Sequence, residues 1–366
     1  MKFSIKKEDI ASELQLLQGI VEKRNTMPIL ANILMNATEK EIELTGTDLE
    51  VGLKTHFPAK IEEEGSITLS GKKIFEVVKS LPEGKKVTFE ETGDLTMQIT
   101  SGESKFKVLC LPKEDYPQVP EAKFEKKIIL PLGVFQDMID RVYFAITQEQ
   151  RYYLSGALLI IKDKSMELVS TDGHRLAYTA NSMKELKVEN EIRAIVAKKT
   201  LSELRKFEDE TIEFDLDESN LFFKVENRTL MSRIIEGKFP DFEAVIPKDN
   251  PNTFTVSREE ITESVRRVSL FSTERSKGIK FFIEKDEIRL FSSNPEMGEA
   301  QDRVGIEYKG EGLEIGFNSQ YLLDFLSAVK SERIQFEFKD SNSSVLMKPE
   351  VSEKVDYLYI LMPMKL

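Results

Sequence analysis

The sequence has no tryptophan, one cysteine and two histidines among its 366 residues. A single thiol, Cys110, excludes a disulfide framework within the chain and a multi-cysteine zinc site. His56 and His174 alone exclude a histidine-rich metal centre. No apolar run approaches the ~20 residues that a membrane-spanning helix needs. The N-terminus, Met1-Lys2-Phe3-Ser4-Ile5-Lys6-Lys7-Glu8-Asp9, turns charged before the apolar core of a signal peptide could form. A cytoplasmic location is therefore expected. The glycine-rich phosphate loop ending in Gly-Lys-Ser/Thr is absent, as is a dinucleotide-binding glycine fingerprint after a strand. Positive charge is in the minority: Lys plus Arg is 52 and Asp plus Glu is 64, for a net charge of −12. That excludes a general basic coat for polyanions but not a local basic patch.

What is present reads as a soluble, globular chain, with 40% hydrophobic and 32% charged residues. The length suggests two or three domains. An internal repeat decides between them. Helix candidates start at Ile10, Phe135 and Ile261. Their apolar trios, Ile10/Leu14/Leu17, Phe135/Ile139/Val142 and Ile261/Val265/Val268, each fall on one helix face. Alternating strands (IELTGTD, MELVSTD and IRLFSSN) end at a Thr/Ser-Asp/Asn turn near Asp48, Asp172 and Asn294. A second helix follows in each unit, near Lys72, Thr200 and Tyr321. It leads into a strand centred on Phe89, Phe214 or Phe336. Three ordered elements recurring at a step of about 125 residues predict an α+β chain of three repeated domains. Each has about two helices packed on antiparallel sheets. The expected boundaries are 1–122, 127–246 and 247–366, with Pro-containing, charged linkers at Pro120–Lys127 and Ile246–Asn252.

The one cluster with catalytic chemistry is Thr171-Asp172-Gly173-His174-Arg175. An aspartate beside a histidine can serve general-base chemistry, and a hydrolase is one reading. The other is a polar turn whose His174 and Arg175 line a surface pocket; no nucleophile motif accompanies the cluster, and the matching turns at Asp48 and Asn294 lack the histidine. Cys110 lies in the apolar strand KVLCLP and reads as a small buried hydrophobe. Basic residues mark the helices: Lys72, Lys73 and Lys79; Lys198, Lys199, Arg205 and Lys206; Arg141; Arg266 and Arg267; Lys23 and Arg24. Solvated helix surface and a sequence-independent phosphate-binding face both fit this pattern. In the loop at Gln148–Leu154, Arg151 suits a phosphate, and Tyr152 or Tyr153 suits either stacking or packing.

These residues carry a resemblance that spans the chain. The runs LTGTDLE (Leu44–Glu50), LPEG (Leu81–Gly84), RYYL (Arg151–Leu154), TDGHRLA (Thr171–Ala177), KFPDF (Lys238–Phe242), IGFN (Ile315–Asn318) and the terminal MPMKL (Met362–Leu366) resemble the bacterial sliding clamp family, the beta subunit of DNA polymerase III. The resemblance implies a head-to-tail homodimeric ring of six similar domains. Helices would line a hole threaded by duplex DNA, without sequence preference. It implies a tether for the replicative polymerase, served by a clamp loader and shared with other clamp-motif proteins. Neither catalysis, cofactor nor metal is implied. Tethering raises the polymerase's effective concentration at the primer end, and a closed ring tolerates weak phosphate contacts and a negative net charge. A repeat scaffold that binds only proteins is the third reading of the same pattern.

By the same resemblance, the DNA-contacting positions are Arg24, Gln148, Tyr152, Tyr153 and Lys198, with Arg151 added from its place in the loop. The partner-peptide cleft comprises Leu154, Thr171, Gly173, His174, Arg175, Leu176, Pro240, Val245, Asn318, Tyr321, Ser344, Ile360, Met362, Pro363 and Met364. Apolar side chains and adaptable methionines suit a short linear motif with Leu or Phe anchors. The dimer interface is expected to join Phe106 and Val108 to Leu270 and Phe271, with Lys73 pairing with Glu296 or Glu299. Ala244, Ser276 and Asn342 depart from the family pattern at the cleft, where an arginine, an aromatic and an apolar residue are expected; a difference in partner affinity or in motif preference is expected.

Overall fold

The computed structural model describes residues 1–21, 27–93, 95–147, 152–351 and 355–366, with Tyr152 described in its backbone only. The predicted repeat is visible in the order of elements. The first runs β1 (Lys2–Lys6), α1 (Lys7–Leu17), β2 (Asn32–Ala37), β3 (Glu41–Thr47), β4 (Val51–Pro58), β5 (Lys60–Glu63) and β6 (Gly65–Ser70), then α2 (Gly71–Ser80), β7 (Lys86–Glu91), β8 (Thr96–Ser101) and β9 (Ser104–Leu111). The second runs β10 (Ile128–Pro131), α3 (Leu132–Val142), β11 (Gly156–Lys162), β12 (Ser165–Thr171), β13 (Arg175–Ser182) and β14 (Ile192–Ala197), then α4 (Lys198–Leu204), β15 (Thr211–Leu216), β16 (Asn220–Val225) and β17 (Arg228–Arg233). The third runs β18 (Asn252–Ser257), α5 (Arg258–Ser269), β19 (Gly278–Ile283), β20 (Glu287–Asn294), β21 (Gly298–Gly305) and β22 (Leu313–Asn318), then α6 (Ser319–Ala328), β23 (Arg333–Phe338), β24 (Val345–Pro349) and β25 (Val355–Leu361).

The helices form where apolar spacing and caps agree. All nine residues of the three apolar trios are buried; each fully buried Leu, Ile, Val or Phe contributes about 1.5–3 kcal/mol. Ser70 Oγ caps α2 by accepting from Lys73 N–H, Ser257 Oγ caps α5 by accepting from Glu260 N–H, and Asn318 Oδ1 caps α6. Within α5, Glu259 and Glu260 sit in the first turn and Arg266 and Arg267 in the last, the arrangement the helix dipole favours.

The repeat extends to strand register. Phe3 of β1 pairs with Phe89 of β7, and the rings stack with centroids 4.7 Å apart. Ile128 of β10 pairs with Phe214 of β15, and Phe254 of β18 pairs with Phe336 of β23, again stacked, at 4.8 Å. The Thr-Asp turn repeats as well. Asp48 Oδ1 accepts from the backbone N–H groups of Glu50 and Val51, as Asp172 Oδ1 does from His174 and Arg175.

The chain divides into two compact units, residues 1–133 with 199–234, and residues 134–198 with 235–366. The first unit is built on a 13-stranded antiparallel sheet in which β17 of the second repeat pairs with β4 of the first, Leu230 opposite Leu53. Glu13 of α1 and Arg228 of β17 form a buried ion pair across that seam, and Thr55 Oγ1 donates to Glu13. In the second unit an eight-stranded sheet joins β13 of the second repeat to β25 of the third, Leu176 opposite Ile360. A four-stranded sheet, β21-β20-β19-β22, completes it. No helix among the described residues is long and apolar enough to cross a membrane.

Candidate partner-binding cleft and flanking surfaces

The Thr171–Arg175 turn lies between β12 and β13 and is held by its own side chains. Thr171 Oγ1 donates to Arg175 O at 2.6 Å and accepts from Gly173 N–H. Gly173 has φ +90°, a left-handed conformation that glycine adopts without steric cost. Arg175 is 9% exposed. Its Nε donates to Asp172 at 2.9 Å, Nη1 to Asp324 of α6 at 2.6 Å, and Nη2 to Phe144 O at 2.6 Å. The guanidinium also lies over two aromatic rings, Tyr321 at 4.2 Å and Phe144 at 5.3 Å. Asp172 thus accepts from two backbone amides and from Arg175, and neither residue is free for general-base work. His174 joins this network only through its backbone N–H, and the residue is exposed.

Beneath the turn lies an apolar cluster that includes Leu154, Leu158, Leu176, Ile195, Phe239, Phe242, Leu346 and Ile360. The predicted Leu154, Leu176 and Ile360 are brought together here. Pro240 and Val245 are exposed on the connecting segment whose Phe239 and Phe242 enter the cluster. Asn318, half-buried, accepts from Gln320 and Tyr321 N–H groups, and Tyr359 donates its hydroxyl to Tyr321 O. Ser344 and Tyr321 are half-buried.

The C-terminal residues continue from β25. Met362 N–H donates to His174 O at 3.0 Å, and Met364 N–H to Gly316 O at 2.9 Å. Met362 is 45% exposed and Val245 43%. Ser276 shares a hydrogen bond with Thr273 and accepts from Gly278 N–H, while Asn342 and Ala244 are exposed. A separate cavity of about 640 Å³ opens beside Phe242, lined also by Lys162, Glu167, Tyr178, Lys348 and Asp356. None of the predicted cleft residues lines it. Among the described residues no group of three or more His, Cys, Asp or Glu side chains could hold a metal ion.

Of the predicted DNA-contacting positions, Arg24, Gln148 and Arg151 lie outside the described residues. Tyr152 opens the short 3-10 helix Tyr152–Leu154, and Tyr153 is exposed. Lys198 donates to Ile146 O at 3.0 Å and lies over the Tyr143 ring. Burial, and then the neighbouring charge of Arg175, lowers its pKa from the usual lysine value. Several other helix cations are matched by carboxylates: Lys72 and Lys73 by Glu76, Arg266 by Glu263, Arg267 by Asp302 and Lys206 by Glu203. Arg141 is buried and bonded to Asp137. The local basic face is thus weaker than residue types alone suggest.

The predicted interface residues lie on two sheet edges, one in each unit. In the first, β9 pairs with β8 along Ser104–Leu109 but with β6 only at Cys110 and Leu111. Its other edge over Ser104–Leu109 has no strand partner among the described residues. Phe106 is half-buried and Val108 buried, and Lys73 bonds Glu76 at 2.9 Å. In the second unit β21 is the edge of its sheet. Leu270 is 69% exposed, Phe271 is half-buried, and Glu296 and Glu299 are exposed.

Sequence reasoning missed Asp324, Phe144, Phe239 and Phe242. The signal for Asp324 was available: six residues after the α6 cap, it follows Tyr321 by one helical turn. The two phenylalanines bracket Pro240 within KFPDF, a run read for its resemblance and not for its apolar spacing.

Comparison with known proteins agrees over the whole length. Family models of the DNA polymerase III beta subunit match in order: the N-terminal domain over residues 1–120, the central domain over 129–241 and the C-terminal domain over 243–365. The beta sliding clamp of Pseudomonas putida is 33% identical over 374 residues, covering all of both chains. The crystal structure of the Pseudomonas aeruginosa beta subunit superposes with a TM-score of 0.94 at 32% identity, again over all of both chains. A Bartonella birtlesii sliding clamp solved bound to griselimycin matches with a TM-score of 0.94 at 32% identity and the same full coverage. The chain has the three-domain clamp fold of helices and antiparallel sheets, and it belongs to the DNA polymerase III beta subunit family, the bacterial beta sliding clamps.

Proposed function

We infer that this chain acts in DNA replication as a processivity clamp, a non-catalytic subunit that keeps a polymerase on its template. The observation that carries this reading is the unbroken succession of three family domains along the chain. In the finer reading two copies join head to tail, the β9 edge of one against the β21 edge of the other. Phe106 and Val108 meet Leu270 and Phe271 there, and Lys73 faces Glu296 or Glu299. A strand edge without a partner in each unit supports this, since exposed edges are open to pairing with another chain. Two identical heterologous joints close a ring.

The ring encircles duplex DNA, with Arg24, Gln148, Arg151, Tyr152, Tyr153 and Lys198 as the DNA-contacting residues. Retention comes from closure, so the contacts need not be tight. Partners, the polymerase alpha subunit and the clamp loader among them, dock a short Leu/Phe-bearing motif on the floor formed by Leu154, Leu176 and Ile360. His174, Pro240, Val245 and Met362 form its rim. The domains act as 1–122, 127–246 and 247–366, and the protein works in the cytoplasm. The test is twofold. Solution mass should be about twice the 42.0 kDa of one chain. Protein loaded on a nicked circle should stay until the circle is linearised and then slide off; retention on linear DNA, or a monomer at micromolar concentration, overturns the ring.

A further inference from the structure

The end of the chain is seated by two glycines that the backbone does not require. Gly278 of β19 and Gly316 of β22 are diagonal neighbours on one face of the four-stranded sheet, since Gly278 pairs with Asn318 and Lys280 with Gly316. Neither has a positive φ, so neither is demanded by a turn. Glycine in a strand interior sacrifices packing and often marks the close approach of another segment. Here the approaching segment is the C-terminus. A Cβ at Gly278 would collide with the Leu366 side chain; one at Gly316 would collide with Met364 O and lie 3.0 Å from Leu366 Cδ1 and Cγ. The intervening residues, Ile279 and Phe317, are buried on the opposite face. Leu366 remains 48% exposed, so this is an open trough and not a core position.

We propose that Gly278 and Gly316 form a seat for Leu366, and that this seat is the positioning element that holds Met362 and Met364 at the partner cleft. The tail is fixed at three places. Met362 N–H is tied to His174 O at the turn, Met364 N–H is tied to Gly316 O, and Leu366 is lodged on the glycines. The first two are single hydrogen bonds near solvent, each a small net gain. The apolar seat supplies the remaining hold and fixes the direction of the strap. The proposal rests on the reading of the cleft given above, and its test separates the two.

Hydrogen exchange at the Met362 and Met364 amides reports the strap with no partner present. Fluorescence anisotropy with a labelled synthetic peptide carrying Leu and Phe anchors reports the cleft. Gly278→Ala and Gly316→Ala should each speed tail exchange and weaken the peptide roughly fivefold, the scale of losing a half-covered leucine contact. Leu366 is 48% exposed, and Leu366→Ala should give the same loss. The Gly278→Ala/Leu366→Ala double variant should be no worse than Leu366→Ala alone, because both remove one contact. Unchanged tail exchange in Leu366→Ala, or additive losses in the double variant, overturns the seat. Wild-type protein that ignores the peptide while its tail amides stay protected, and lose protection in Leu366→Ala, overturns the cleft reading and leaves the seat standing.

Discussion

The Arg175 guanidinium lies 4.2 Å from the Tyr321 ring while its Nη1 donates to Asp324 at 2.6 Å. One side chain of the second repeat is thereby pinned to one helix of the third. The contact depends on a planar fork with several donors, which lysine does not have. Arg175→Met should cost about 3 kcal/mol, the low end for breaking a buried pair, because the Asp172 and Asp324 carboxylates left behind are half-buried. Arg175→Lys should recover less than half. Thermal unfolding of the two variants checks this.

His174 makes the opposite case. Its side chain is exposed, so His174→Ala should leave stability within about 0.5 kcal/mol of wild type. Peptide binding at the cleft should nevertheless weaken roughly tenfold if the imidazole lies at the centre of the rim. Calorimetric unfolding beside a peptide titration separates the two effects.

Leu270 is 69% exposed, so replacing it should leave the folded chain intact. Leu270→Arg should shift the solution mass from about twice 42.0 kDa to 42.0 kDa. Light scattering at several concentrations is the measurement.

Burial pushes the Cys110 thiol up to about 11. The thiolate is the reactive form. In native protein at pH 8, Cys110 should react with a disulfide reagent roughly a hundredfold or more slowly than in the unfolded chain. Absorbance of the released thiol with and without guanidinium reads this directly.

Asp137 of α3 bonds Lys330 at 2.5 Å and, one turn along the same helix, Arg141 at 2.9 Å. Burial opposes its charge, but the two cations outweigh burial and hold its pKa below the ordinary carboxylate value. A depressed folded pKa gives stability that is present above the unfolded value, near 4, and lost as pH falls through the folded value. Asp137→Asn should therefore lower stability at pH 7 and flatten its loss below pH 4. Urea midpoints at pH 7 and pH 3 check both parts.

The three repeats were legible because helix spacing, turn chemistry and strand alternation all recur at one step. The buried trios headed by Ile10, Phe135 and Ile261 answer to that pattern, as do the paired rings Phe3/Phe89 and Phe254/Phe336. The seams between repeats were not legible. Alternation says that β4 and β17 are strands, but it does not say whose free edge each will meet. The commitment of Arg175 to Asp172, Asp324 and Phe144 was hidden for the same reason, since its partners are scattered through the chain. The seat under Leu366 was invisible because a strand glycine announces only a vacancy, not what fills it.

The seams carry a consequence for anyone who cuts the gene. β17 gives its outer side to β4, and β13 gives its outer side to β25. An excised middle third would carry two raw sheet margins whose outward-facing backbone groups have lost their partner strands, and such margins recruit other chains into aggregates. The molecule is modular in its repeats but not in its sheets: each seam strand of the middle repeat relies on a strand from a neighbouring repeat to cover its outer side.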